Sequence, residues 1–293
     1  MENFFDPFVD STLTYNEFTE KGSQKWTMQR FYQKRNNIYK ALLAFSHNQA
    51  IGILGVCEVE NEFVLNALFG LTPLKRFNYR WIHYDGPDRR GIDPAIVYSL
   101  DRFQLLYSEA FPYRNPDNPN MVSRDILYAK FFDYRQDTLH CFVNHWPSKR
   151  GGAASSDSRR EAVSELLRLK IDSLQKQDPS ARILLVGDFN DTPDGESLKA
   201  LCDSCSLHNM ALPLWRKGMG SIRYKGKWEL IDQAIVSQRL AGEGAVFSIF
   251  AAAFLQEPDN AYLGLKPKRT FVGPRYNGGV SDHLPVLVRI KKE

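Results

Sequence analysis

Ile183-Leu184-Leu185-Val186-Gly187-Asp188-Phe189-Asn190-Asp191 is the run from which the rest of the chain is best read. Four branched apolar residues in succession read as a fully buried strand. Gly187 punctuates the run, and Asp188 and Asn190 follow at once. Thr192-Pro193 then has the form of an N-cap followed by proline at the first helical position. If the backbone stays extended through Phe189, Asp188 and Asn190 face the same way. A carboxylate and a carboxamide are then aimed from the lip of a rigid strand. Asp and Asn are common at any strand-to-turn junction. The arrangement gains weight because it recurs elsewhere in the chain.

Outward from this run, the pattern is one of apolar strands with helices between them. Residues 1–33 lack clear periodicity and read as a long surface loop, and 34–46 as an amphipathic helix. Strands are expected at 51–56, 79–83, 92–99, 103–107, 126–132, 139–144, 183–186, 230–236 and 286–290, and residues 240–255 read as another core strand. Asn61 to Gly70 reads as a short helix closed by glycine. Ser148 to Asp157 reads as a loop, and Ser158-Arg159-Arg160-Glu161 as a capping box that opens the next helix. A short helix from about Ser197 follows the central run. The segment 256–279, with its Pro, Gly and Asn, reads as a long loop. Most neighbouring strands look antiparallel. The fold class is α+β, with two packed, mostly antiparallel sheets and helices outside them. No linker, repeat or low-complexity tract divides residues 1–293, so a single domain is expected.

The bulk composition is that of an ordinary globular chain: 43% hydrophobic, 25% charged and 13% aromatic over 293 residues. A net charge of +4 permits an anionic substrate without demanding one. Basic doublets at Lys34-Arg35, Arg89-Arg90, Lys149-Arg150 and Arg159-Arg160 read mostly as solvated loops, with a phosphate role for about one of them. No segment is apolar and long enough to span a membrane. Cys57 and Cys141 read as core thiols. Cys202-Asp-Ser-Cys205 lacks the further ligands a zinc site needs.

The polar residues that end or interrupt apolar strands carry the chemistry. Glu58 follows Ile53 to Cys57, Asp188 and Asn190 follow Ile183 to Val186, and Asp232 interrupts Leu230 to Val236. Ser281-Asp282-His283 precedes the last strand, His145 follows Cys141 to Asn144, and Asp93 opens Pro94 to Tyr98. Carboxylates brought together repel and raise one another's pKa, and a divalent cation removes that cost. Oxygen ligands favour Mg²⁺ or Mn²⁺. Histidines beside such a site move protons or brace phosphate. A serine-hydrolase elbow is absent, as is a dinucleotide glycine motif. The stretch Gly220 to Lys227 has neither the spacing of a phosphate loop nor a Ser or Thr after its Lys. Metal-assisted attack of water on phosphorus remains.

Glu58 in Cys-Glu-Val-Glu-Asn, Gly187-Asp188-Phe189-Asn190 and Ser281-Asp282-His283 resemble, in order and spacing, the motifs of the endonuclease/exonuclease/phosphatase superfamily. The resemblance runs from about Asn3 to the end. It implies a four-layer α/β/β/α sandwich and a phosphoesterase using Mg²⁺ or Mn²⁺, a phosphodiesterase or phosphomonoesterase and most simply a nuclease-like one. Residue by residue, it implies that Glu58 and Asp282 hold the metal, that Asp188 orients or deprotonates water, and that Asn190 contacts phosphate. It makes His283 the histidine on the scissile phosphate, oriented by Asp232. His145 becomes the second histidine, with Asp93 as its acidic partner, and Arg124 a phosphate contact. The family's first strand ends in an Asn that helps hold the metal. Met1-Glu2-Asn3-Phe4-Phe5-Asp6 resembles the residues just after that Asn, so this strand is expected to be absent. Trp146, Lys149, Arg150 and Tyr276 are the loop residues expected to meet a nucleic-acid substrate. A lipid or inositol phosphate, or a non-catalytic binding module, is the alternative. A monomer is expected, in the cytoplasm as the chain stands, or secreted or periplasmic if an N-terminal segment precedes it.

Overall fold

The structure is a computed structural model that describes residues 1–8, 17–113, 122–148 and 153–291. In chain order, its elements begin with α1 (Met28–Phe45), β1 (Ile53–Val59), α2 (Glu62–Leu65), β2 (Tyr79–His83), β3 (Asp93–Ser99), β4 (Phe103–Phe111), β5 (Ile126–Asp133) and β6 (Thr138–His145). Then come α3 (Ala153–Gln177), β7 (Arg182–Asp188), α4 (Glu196–Ser204), β8 (Leu207–Asn209), α5 (Leu212–Trp215), β9 (Ile222–Tyr224), β10 (Lys227–Glu229), β11 (Asp232–Ser237), α6 (Gln238–Gly242) and β12 (Val246–Ile249). Four short strands, β13 (Gln256–Pro258), β14 (Leu265–Pro267), β15 (Phe271–Val272) and β16 (Arg275–Tyr276), precede β17 (Val286–Arg289). The fold class is α+β, as the strand and helix pattern led one to expect.

The chain divides into two compact units, Met1–Phe103 with Phe250–Leu284, and Gln104–Ile249 with Pro285–Glu293. In the first, β1, β3 and β2 form an antiparallel sheet in that order. Strand β3 is buried at every position, as a central strand must be. The helix α1 follows from its sequence: Phe31, Lys34, Ile38, Ala41 and Phe45 recur at intervals of three and four and form its buried face. Thr27 caps it by accepting from the backbone N–H of Arg30.

Within 1–33, the described residues 1–8 and 17–33 do not form a surface loop. Phe4, Trp26 and Phe31 are fully buried with Phe5 and Phe18 in the core of this unit, and α1 begins at Met28. The chain at Phe4 lies parallel to Val59 in an isolated bridge, with Phe4 N–H donating to Glu58 O at 2.9 Å. Aromatic residues without periodicity still bury large apolar areas once a neighbouring strand gives their backbone partners.

The second unit is built on a six-stranded sheet in the order β4-β5-β6-β7-β11-β8. The pairs β5 with β6, β7 with β11 and β11 with β8 are antiparallel, whereas β6 and β7 are parallel, and α3 connects them in the manner of a crossover. Val163, Leu167 and Ile171 of α3 pack with Ile183, Leu185 and Phe189 in one cluster. Three further expectations fail. Helix α3 starts at Ala153, so Ser158 lies within it rather than capping it. Residues 240–255 are split among α6, β12 and a 3-10 turn at Ala253–Leu255, because Gly242 and Gly244 interrupt the run. The segment 256–279 contains two short hairpins, β13 with β14 and β15 with β16.

Candidate active site

In the second unit, the register of the sheet sets three of the expected residues in one row. On β6, β7 and β11, His145 pairs with Asp188, and Asp188 pairs with Asp232. Side chains in register on adjacent strands share a face of the sheet. His145 Nε2 lies 3.7 Å from Asp188 Oδ2. Both side chains are buried.

The end of β7 does not continue straight, as the extended reading supposed. Asn190 turns the chain with φ +48°, and no helix starts at Pro193: Thr192 Oγ1 instead donates to Asp194 Oδ1 at 2.6 Å, and α4 begins at Glu196. The turn brings Asn190 onto Asp188 more closely than extension would. Its backbone N–H donates to Asp188 Oδ1 at 2.8 Å and its Nδ2 to Oδ2 at 3.2 Å. The same Nδ2 donates to the Trp146 carbonyl at 2.8 Å. Arg124 Nη1 donates to that carbonyl at 3.4 Å, which places Arg124 beside the group. Gly187 is required here. It has φ +133°, and a Cβ would stand 2.0 Å from Asn144 O on the neighbouring strand.

Trp146 is not a loop aromatic facing substrate. It is 1% exposed, its ring packs edge-on against Phe189 at 5.2 Å, and its Nε1 donates to Asn144 Oδ1. Its backbone carbonyl, which the sequence did not single out, is what joins Asn190 and Arg124. Tyr276 is half-buried against Phe271 and under the Arg30 guanidinium at 4.6 Å. Lys149 and Arg150 lie outside the described residues.

The first unit gathers Glu58, Asp282 and His283. Glu58 is the penultimate residue of β1 and sits in a β-bulge, where pairing with β3 jumps between Val56 and Val59; it has φ +65°. A bulge re-aims a side chain, and a glutamate held in the left-handed region marks a backbone that its surroundings over-determine. Asp93 pairs with Val59 across this bulge and accepts from Gly86 N–H at 3.0 Å. Burial pushes the Glu58 carboxyl up, but the chain's amino terminus, Arg90, the Asn3 N–H and His283 outweigh it, so its pKa falls below the usual value. Asn3 N–H donates to Glu58 Oε2 at 2.7 Å, and Arg269 Nη2 to Asp282 Oδ2 at 2.9 Å. Each carboxylate is thus positioned through one oxygen.

Two cations that the motif reading passed over stand in this cluster. Lys34 is fully buried; its Nζ donates to Thr270 Oγ1 at 2.5 Å and to Glu2 O. Arg269 bridges Glu2 and Asp282. Glu2 is itself buried, accepts from Thr270 N–H at 2.6 Å, and is held above the usual carboxylate range by desolvation and by Asp282. Both cations feel Glu2, Glu58 and Asp282. A signal for Lys34 was present in the sequence: it falls in phase with Phe31 and Ile38 on the apolar face of α1. The doublet Lys34-Arg35 is therefore not simply solvated, nor is Arg159-Arg160, whose Arg160 is buried beside Asp191 and Asp157.

Among the described residues, no group of three or more His, Cys, Asp or Glu side chains is placed to hold a metal ion. Magnesium asks for less, commonly one or two carboxylates with water and substrate oxygens completing the shell. Glu58 and Asp282 suit it in donor type, being hard oxygen ligands already oriented by N–H donors.

A sequence model of the Endonuclease/Exonuclease/phosphatase family matches residues 1–292. No curated protein matches the chain in sequence at a significant level. Among solved structures, the human Nocturnin catalytic domain with bound sulfate is similar at TM-score 0.58 and 18% identity, covering 88% of this chain and 85% of that one. A mannosyl-6-phosphatase of Bacteroides thetaiotaomicron gives 0.58 and 16%, covering 88% and 90%. Truncated Caenorhabditis elegans TDP2 gives 0.57 and 15%, covering 89% and 90%. At these identities the likeness is one of fold. With its whole described length inside the matched span, this chain belongs to the endonuclease/exonuclease/phosphatase family, whose members are hydrolases of phosphate esters.

Proposed function

We propose that this protein is a Mg²⁺- or Mn²⁺-dependent phosphodiesterase of nuclease type, hydrolysing its substrate by attack of water on phosphorus. The observation that carries the reading is the row His145, Asp188, Asp232 across three adjacent strands, with Asn190 folded back onto Asp188. A carboxylate fixed through both oxygens, with an imidazole nitrogen 3.7 Å away, is suited to orienting a water and accepting its proton. Residues held this way need no reorganisation at the moment of reaction.

In this reading Asp188 positions the attacking water and takes its proton. Asn190 and Arg124 fix the phosphate. His145 and His283 neutralise charge growing on the phosphoryl oxygens, and Asp232 and Asp93 keep the orienting roles that the resemblance assigns them. Glu58 and Asp282 would hold the cation, which supplies, when bound, the positive charge that polarises phosphate oxygens and stabilises the leaving oxygen. Lys34 and Arg269 keep three acids close together before any cation arrives.

Bis(4-nitrophenyl) phosphate tests the reading. Turnover with Mg²⁺ or Mn²⁺ and its loss in EDTA are expected. Equal turnover in EDTA, or none under any condition, overturns it. Plasmid DNA, abasic duplex, RNA, inositol phosphates and sphingomyelin then sort the substrate.

A further inference from the structure

Between Asp188 and α4 the chain is tied to the β11 side of the sheet twice. Phe189 N–H donates to Ile231 O at 2.9 Å, and the Asp191 carbonyl accepts from Gln233 Nε2 at 2.6 Å. Asn190 lies between these two tethers, in the left-handed conformation at φ +48°. A side chain persists in that region when its surroundings fix it there. What is fixed here is the turn that brings Asn190 back onto Asp188.

Gln233 stands next to Asp232 on β11 but serves the opposite face of the sheet, because successive strand residues alternate. Ile235, two positions on, packs on that face with Leu185 and with Val163 of α3. Gln233 is fully buried, and its amide is bonded at both ends. Its Nε2 also donates to Leu230 O at 3.2 Å, and its Oε1 accepts from Asn209 Nδ2 at 2.6 Å. Carbonyl oxygens only accept, so the amide must turn its NH₂ toward Asp191 and Leu230. Rotating it would set oxygen against oxygen and leave both carbonyls without this donor. The Asp191 carboxylate has a second hold. Arg160 Nε of α3 lies 3.6 Å from its Oδ2, and the same guanidinium donates to Pro147 O at 3.5 Å. The last residue of the turn is thus held from β11 and from α3.

We propose that Gln233 is a positioning residue for phosphate-ester hydrolysis: by holding the Asp191 carbonyl, its amide keeps Asn190 closed on both oxygens of Asp188. The proposal rests on the phosphoesterase reading for the roles of Asp188 and Asn190. Gln233 carries no charge and takes up no proton, so its contribution is geometric. A displacement of about 1 Å in a reacting group costs on the order of 10² in rate.

Hydrolysis of bis(4-nitrophenyl) phosphate with Mn²⁺ tests the proposal in two variants. Gln233→Glu keeps an oxygen for Asn209 but not the amide donors, and Gln233→Met keeps only the length. Each should lose about 10² in kcat. In the Asn190→Ala background the same substitutions should cost less than about threefold, because the residue they act through is gone. Val163→Ala, a truncation in the same apolar cluster, should lower the thermal midpoint and leave kcat unchanged. The Asn190 side-chain amide, assigned by its disappearance from the NMR spectrum of Asn190→Ala, should shift and exchange faster with solvent in both Gln233 variants. Unchanged kcat in a folded Gln233 variant, equal losses in the two backgrounds, or an unmoved Asn190 amide overturns the proposal. If neither Gln233 variant folds, Asn209→Ala frees the same amide from its other end and should give the same signatures at smaller amplitude; their absence overturns it as well. A protein without hydrolytic activity before substitution sinks the phosphoesterase reading, and the Asn190 amide alone then decides whether Gln233 holds the turn.

Discussion

Asn190 is bonded to Asp188 twice, by its backbone N–H to Oδ1 at 2.8 Å and by its side-chain amide to Oδ2 at 3.2 Å. The residue that turns the chain away from β7 is thus also the residue that fixes the carboxylate ending it. The turn needs φ +48°, a conformation that Asn tolerates better than most side chains.

Asp188→Asn keeps the size of the side chain and one acceptor oxygen but removes the base. Turnover should fall by about 10²–10⁴, with the thermal midpoint nearly unchanged. Steady-state kinetics beside a melting curve checks this. Near-normal turnover would remove Asp188 from the chemistry.

Gly187→Ala should cost more than about 3 kcal/mol, because it combines a positive φ with a backbone clash. Its Cβ would stand 2.0 Å from Asn144 O, on the strand whose register sets His145 beside Asp188. Denaturant unfolding measures the loss. A change within experimental error would mean that the strands part easily here.

Lys34→Met removes a fully buried cation from among Glu2, Glu58 and Asp282. Breaking such a buried arrangement costs about 3–5 kcal/mol. Added Mg²⁺ should restore more stability to this variant than it adds to the unsubstituted protein, since a cation bound only by the folded state stabilises it. Melting curves with and without Mg²⁺ read both effects, and an identical Mg²⁺ response in the two proteins would argue against the gathered acids.

His140 supplies a pH dependence away from the site. Burial, reinforced by Lys130, lowers its pKa to about 4, and its Nδ1 lies 2.8 Å from the Tyr128 hydroxyl. In the unfolded chain the imidazole titrates near 6.5. Above that value it is neutral in both states and its contribution to stability is complete. As pH falls from about 6.5 to about 4 the unfolded chain takes up the proton first, so stability is lost across this window. Unfolding free energies between pH 7 and 4 should fall less steeply in His140→Gln. Parallel curves for the two proteins would refute the assignment.

Much of the scaffold was legible because short apolar runs with polar ends announce strands at close range. The expected 79–83 strand is β2, and the strands around Ile183, Ile126 and Leu139 need only a residue or two added at their ends. Where burial came without periodicity, legibility failed. Phe4, Phe5 and Trp26 looked like loop residues, and Trp146 looked like a substrate contact, because what buries them is distant in sequence. Lys34 was readable in principle from its helical phase, but a charge on an apolar face is easily taken for solvated surface.

The sequence by itself determined which polar groups end, interrupt or precede apolar runs: Glu58, His145, Asp188, Asn190, Asp232, Asp282 and His283 are all picked out by local pattern. Only the tertiary structure decided which of them are neighbours. Register between β6, β7 and β11 set His145, Asp188 and Asp232 in a row, a bulge turned Glu58 at φ +65°, and Lys34 and Arg269 came from elsewhere to stand among the acids. The reason is physical. Strand formation follows from residues within a few positions of one another, whereas register and charge compensation depend on partners far along the chain, which nothing in the local pattern names.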